Sequence, residues 1–210
     1  MADKVTAKNS DAKFQSHPEG QFLGQCVDVI DLGEAVQDFA DKPKYLAQKC
    51  ALVFRTGEMN AGAAEAIDLT AEFTVSMGEK ANLRKFLEQW RGKPYLPDEV
   101  EDGVPLDKLE GNWALLTVAH KLSKKGRTYA VIVSAVGVPK QMRSGLVSYT
   151  GYTRPDYLLQ KKAEYSLEAT AYRLSIGAPS GRNQVVGSMG DPGPQEPEPE
   201  FGATDDDLPF

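Results

Sequence analysis

Ile67-Asp68-Leu69-Thr70-Ala71-Glu72-Phe73-Thr74-Val75 runs straight into Ser76-Met77-Gly78-Glu79-Lys80-Ala81-Asn82-Leu83-Arg84-Lys85-Phe86-Leu87-Glu88-Gln89-Trp90-Arg91-Gly92. The first half has period two. Ile67, Leu69, Ala71, Phe73 and Val75 share one face, and Asp68, Thr70, Glu72 and Thr74 share the other, as in a strand with one dry and one wet side. The second half switches to helical spacing, with Leu83, Phe86, Leu87 and Trp90 on one stripe. Ser76 and Glu79 have capping-box spacing, and Gly92 and Pro94 stop the run, so a helix is expected over 77–91. A short helix with a single apolar stripe must lie against something. The open end of a small β-barrel would seat it, with Trp90 as a core plug rather than a platform for stacking.

Upstream, 20–32 reads as a strand apolar on both faces, Leu23, Val27 and Val29 on one and Phe22, Cys26 and Ile30 on the other. Such a strand is buried on both sides or shared between two sheets. Gly24 inside it marks an expected bend or bulge. A polar loop, 33–47, carries Lys42, Pro43, Lys44 and Tyr45. In the next strand, 48–55, Cys50, Leu52 and Phe54 alternate with Lys49, Ala51, Val53 and Arg55. Phe54 and Phe73 fall with the core set. Downstream, a Pro- and acid-rich connection (93–111) with one helical turn near 106–109 leads to a hairpin. Its arms are 113–121 and 128–135, and its tip is Leu122-Ser123-Lys124-Lys125-Gly126-Arg127, where Gly126 supplies the turn. The order β-β-β-α-β-β predicts an all-β domain over 18–140: a five-stranded OB-fold, a β-barrel with one capping helix.

The flanks read differently. Residues 1–17 are expected to be a flexible arm in which His17 has no partner. His120, at a strand end beside Lys121, is expected at the surface. Residues 141–176 are rich in bases and tyrosines: Arg143, Tyr149, Tyr152, Arg154, Tyr157, Lys161, Lys162, Tyr165, Tyr172 and Arg173. Cations interleaved with aromatics suit a single strand, which offers phosphates and base faces in alternation. The same pattern suits a segment that packs its tyrosines on the barrel or on a second copy, and the sequence leaves both open. Residues 177–204 are Gly/Pro/Ser-rich and then Pro/Glu-rich, a disordered C-terminal linker. The six residues after it are Asp205-Asp206-Asp207-Leu208-Pro209-Phe210.

Net charge is −6, which by itself argues against a polyanionic partner. Its distribution matters more. Seven acids and no Lys or Arg lie in 191–210, and the remainder carries 24 bases against 23 acids. A near-neutral body with an acidic tail can bind a polyanion in a basic groove for which the tail competes. Two cysteines, Cys26 and Cys50, fall in strands with no His cluster, so buried free thiols are expected and neither a disulfide nor a zinc site. No phosphate-cradling Gly loop with Lys, His-x-Glu zinc pattern, Gly-x-Ser-x-Gly elbow or Cys–His constellation occurs, so the expectation is no enzyme, no catalytic residue and no cofactor. No apolar signal region opens the chain and no apolar run reaches membrane-spanning length, so a cytoplasmic location is expected.

The tip Asp205-Asp206-Asp207-Leu208-Pro209-Phe210 resembles that of bacterial single-stranded DNA-binding proteins, which end Asp-Asp-Asp-Ile-Pro-Phe. Leu208 for Ile is the one departure, a near-isosteric swap. The stretch 79–92 and the arm Arg127-Thr128-Tyr129-Ala130 make 20–140 resemble phage-encoded single-stranded DNA-binding proteins. The opening pattern of the bacterial domain is absent, so its tetramer is not carried over, and whether copies form a homo-oligomer stays open. The resemblance implies a protein that coats single-stranded DNA during replication, recombination and repair in a bacterial host cell. It also implies that enzymes of those processes are recruited through the tip. Binding in OB barrels uses the outer face of the second and third strands and two neighbouring loops. The candidate DNA-binding residues are therefore Lys44, Tyr45, Lys49, Arg55, Trp113, Lys121, Lys124, Lys125, Arg127 and Tyr129. The alternative is an interaction module that displays the tip to bind or divert host repair enzymes and has little affinity for single strands.

Overall fold

The structure is a computed structural model, which describes residues 16–38, 43–59, 66–123 and 126–177. Five strands, β1 (Gly20–Gln37), β2 (Tyr45–Arg55), β3 (Leu69–Thr74), β4 (Trp113–Leu122) and β5 (Thr128–Gly137), form one antiparallel sheet in the order β3-β2-β1-β4-β5. Between β3 and β4 come helix α1 (Asn82–Arg91), the short helix α2 (Pro97–Glu101) and a 3₁₀ turn, Leu106–Leu109. After β5 come one turn of helix, α3 (Lys140–Arg143), and the long helix α4 (Asp156–Ser175). β1 serves both halves of the sheet. Gly20 to Gln25 pair with β4, and Gln25 to Gln37 pair with β2. The two edge strands, β3 and β5, also approach each other.

Where β1 changes partner it is bulged between Cys26 and Asp28. The backbone groups freed there are satisfied by the crossing chain: Gly111 N–H donates to the Cys26 carbonyl and Val29 N–H to Glu110 Oε1. A bulge inserts one residue and reverses which side follows. Cys26 and Val29 therefore face the α1 side, and Val27, Ile30 and Leu32 the other. This corrects the facing read from simple alternation, which grouped Val27 with Val29 and Cys26 with Ile30. Gly24 is not the bulge. It is there because Leu116 lies against it, and a Cβ would come within 2.5 Å of Leu116 Cδ1.

The main core is built from residues of all five strands, Leu69 and Phe73 of β3 included, and is closed by α1. Phe54 meets Trp90 at 5.2 Å and Phe86 at 6.3 Å between ring centroids, and Phe73 meets Phe86 at 4.9 Å. Leu83, Phe86, Leu87 and Trp90 are all buried. Trp90 Nε1–H donates to the Trp113 carbonyl at 3.0 Å, which ties the plug to the start of β4. α1 begins five residues later than its sequence pattern indicates. Ser76 Oγ instead accepts from Gly78 N–H in a local turn, and this removes the cap that the Ser76–Glu79 spacing implies. α1 ends where Gly92, at φ +77°, donates its N–H to the Glu88 carbonyl. β1 and β2 are longer than the sequence reading, because the polar stretch 33–37 still pairs with 45–49.

Cys26 and Cys50 are buried free thiols. Burial pushes Cys26 up to about 12 and Cys50 up to about 11. At pH 8 the native chain is expected to leave Ellman's reagent almost unreacted. Both thiols should react after unfolding in guanidinium, with a reactive thiolate fraction higher by roughly a hundredfold or more.

α2 is held by Arg91, which is bidentate to Glu99 and lies over the Tyr95 ring at 4.5 Å. The guanidinium, together with the Leu96 N–H, lowers Glu99 to about 2. A lowered carboxylate stabilises the fold above its unfolded value and loses that contribution as pH falls through the folded one. The Glu99 carboxyl chemical shift should therefore stay constant from neutral pH down to about 3, and the clamp should release near 2.

Candidate nucleic-acid interface

The outer side of the sheet is divided into two regions. Over β1, β2 and β3 it is acidic, with Asp28, Asp31, Glu34 and Glu72 on or beside the strands, and the chain's own segment 149–173 covers it. Arg154 is bidentate to Asp28 at 2.7 and 2.8 Å. Lys161 and the Tyr165 hydroxyl share Glu72, and Arg173 pairs with Glu34. Lys162 stands 3.8 Å from Asp31, and the Tyr157 hydroxyl meets Thr70 Oγ1 at 2.7 Å. Under these pairs Leu158 packs on Ile30, Leu32, Ala51 and Val53, with Val27, Tyr152 and Tyr165 around them. Burial, then the Glu72 carboxylate, holds the Tyr165 hydroxyl well above its ordinary range. Of the two uses open to the basic, tyrosine-rich segment 141–176, Tyr152, Arg154, Tyr157, Lys161, Lys162, Tyr165 and Arg173 are here spent on the sheet, while Arg143 and Tyr149 lie outside this cover.

Leu158 is the apolar anchor of this cover. Leu158→Ala is expected to cost about 2–5 kcal/mol by the usual range for buried leucines, measured by chemical denaturation.

Two of the sequence candidates lie in the covered region. Lys49 is 7% exposed and donates to Thr74 Oγ1 at 2.8 Å. Arg55 is bidentate to Asp68 at 2.8 Å and lies over the Tyr152 ring at 5.5 Å. The canon of binding on the second and third strands thus points to a face that holds acids and is already occupied. Lys44 sits beside it, exposed, with its ammonium 2.6 Å from Asp38, and its carbonyl accepts from the Tyr172 hydroxyl. Tyr45 opens β2 opposite Gln37.

The second region is the outer face of β4, β5 and the first half of β1. Inward residues Phe22, Ala114, Leu116, Val118, Ala130, Ile132 and Ala135 belong to the main core. Their alternates, Leu23, Leu115, Thr117, Ala119, Lys121, Tyr129, Val131 and Val136, face outward. Neither buried cluster includes any of these eight. Tyr129 and Val136 are 42% and 45% exposed. At one end Lys121 sits directly opposite Tyr129 in the ladder, with exposed Arg127 beyond them. The turn below is tied by Ser123, whose N–H donates to the Arg127 carbonyl and whose Oγ accepts from Arg127 N–H. Lys124 and Lys125 lie outside the described residues. At the other end Trp113 packs against Tyr149, ring centroids 5.5 Å apart. Gln25, buried, fixes Tyr149 there by accepting its backbone N–H and donating to the Ser148 hydroxyl. Eight residues of β4 separate the two ends, about 26 Å at ~3.3 Å per residue.

Tyr149 is absent from the sequence-derived set. The signal for it is the interleaving of tyrosines and bases in 141–176, to which Tyr149 belongs. His17 departs from expectation. It is 1% exposed, its Nδ1–H donates to the Pro18 carbonyl at 2.9 Å, and Nε2 meets the Thr56 hydroxyl at 2.6 Å. Its ring stands edge-on to Phe22, and its carbonyl accepts from His120 Nε2–H. These contacts pin the start of β1 to the end of β4.

Among the described residues no cluster of His, Cys, Asp and Glu could hold a metal ion, and no helix is long and apolar enough to cross a membrane. The tip, Asp205 to Phe210, lies outside the described residues. No protein-family model matches the chain, and no curated protein matches it.

Proposed function

We propose that the chain is a non-enzymatic single-stranded-DNA-binding protein on a small OB-type barrel, and that the strand lies on the outer face of β4, β5 and the first half of β1. One observation carries this. Among the described residues no helix covers this outer face, which is edged by Lys121, Arg127 and Tyr129 at one end and by Trp113–Tyr149 at the other. Between them Leu23, Leu115, Ala119, Val131 and Val136 are crossed by one polar row, Gln21, Thr117 and Ser134. Rings that stack on any base gain about 1–3 kcal/mol each without reading sequence, and cations gain by releasing counterions. The barrel reading rests on β1 pairing to both sides, on the approach of β3 and β5, and on α1 plugging the core. The choice of DNA over RNA, the setting in phage replication, recombination or repair, and recruitment of partner enzymes by Asp205 to Phe210 rest on sequence resemblance.

The test is titration of a labelled dT oligonucleotide with the full chain and with a version ending at Gly190, at low and high salt. Binding by both, tighter for the shortened form and weakened by salt, is the expected result. No binding by either at low salt would leave the interaction-module reading, in which the tip alone acts.

A further inference from the structure

Beside the Trp113 end of the outer face the sheet's rim opens into a cleft of about 540 Å³ between the end of α1 and the turn after β5. Trp90, Tyr95, Trp113, Val136 and Val138 supply walls, and Arg143 stands at the edge. We infer that this cleft is a nucleotide subsite: a base enters between the aromatic walls while Arg143 holds the phosphate attached to it. The inference rests on the outer-face reading above and extends it by one site.

Three observations converge on this occupant. The first is continuity, since Trp113 and Val136 belong to both the outer face and the cleft lining. A strand running along β4 toward Trp113 has only to turn over the rim. The second is charge. Two guanidiniums line the cleft, and they differ. Arg91 is committed to Glu99 and Tyr95. Arg143 donates its Nε–H to the Val138 carbonyl at 2.7 Å, and among the described residues no carboxylate pairs with it. That bond holds the Nε side of the guanidinium and uses one of its five N–H donors, leaving planar donors of the kind suited to a phosphate. The third is size and lining. The volume falls in the range of small-molecule sites, about 300–1,000 Å³, which are mostly apolar with a few fixed polar groups.

Both tryptophans of the chain line this cleft, so intrinsic fluorescence reports its occupancy directly. The probes are dTMP, thymidine and a peptide with the sequence of residues 205–210, each titrated into the full chain and into Arg143→Ala, alongside a labelled dT oligonucleotide. Saturable quenching by dTMP, at least tenfold tighter than by thymidine, with Arg143→Ala abolishing that preference, is the expected result. Arg143→Lys should restore only part of it. Quenching by dTMP that shows no preference over thymidine, or a preference that survives in Arg143→Ala, would overturn the subsite. So would saturation by the peptide with dTMP silent, which would make the cleft a peptide site. If dTMP is silent while the oligonucleotide still binds, the subsite is wrong and the outer-face reading stands. If neither binds, both are wrong.

Discussion

Replacing Lys121, Arg127 and Tyr129 together by alanine should weaken binding of a labelled dT oligonucleotide at low salt by about a hundredfold or more. One lost stacking ring accounts for about 1–3 kcal/mol. Each lost phosphate contact flattens the salt dependence, so the slope of log K against log salt should become shallower by roughly 1.4 for two cations on a single strand. The fold should be unaffected, because all three side chains are exposed and none belongs to either buried cluster. Lys49→Ala is the matched control. Its ammonium is buried against Thr74 beneath the chain's own cover, so it should alter stability and leave oligonucleotide affinity within about twofold.

Trp90→Ala should have the largest effect on stability of any single change in α1. It removes the ring that touches Phe54 and Phe86 and orphans the Trp113 carbonyl. Large aromatic deletions of this kind cost about 3–5 kcal/mol, which lowers the thermal midpoint by roughly 10–15 °C in a chain of this size. Trp90→Phe keeps most of the volume and should recover more than half of the loss. Because Trp90 closes the core beneath the start of β4, the alanine variant should also misplace Trp113, and oligonucleotide affinity should fall with stability. A Trp90→Ala chain that melts like the parent would mean that α1 is an appendage and not the plug of the core.

What was legible in the sequence rests on local patterns. Period-two alternation in 67–75 and the stripe Leu83, Phe86, Leu87 and Trp90 are set by one dry face each, so a strand and a helix could be read directly. The start of α1 could not, because Ser76 had a competing bond to Gly78 N–H that spacing does not show. The facing of β1 could not, because a bulge is a feature of pairing and leaves no mark in a strand apolar on both sides. The site suffered most from a long-range effect. Lys49 and Arg55 do point outward from the core, as alternation indicates, but whether outward means solvent depends on residues about a hundred positions later. Arg154, Lys161, Lys162 and Arg173 find their acids at Asp28, Glu72, Asp31 and Glu34, and only the folded chain brings those together. That Lys121, Arg127 and Tyr129 lie together and exposed was legible, because a tight hairpin fixes its neighbours locally.

The most direct test of the central claim is ultraviolet cross-linking of a dT oligonucleotide to the full chain at low salt, with the attached peptides identified by mass spectrometry. The account predicts cross-links at Tyr129 and at Trp113 or Tyr149. Cross-links confined to 45–55 or 69–74 would show that the strand displaces the chain's own cover and binds the acidic face, which would contradict it.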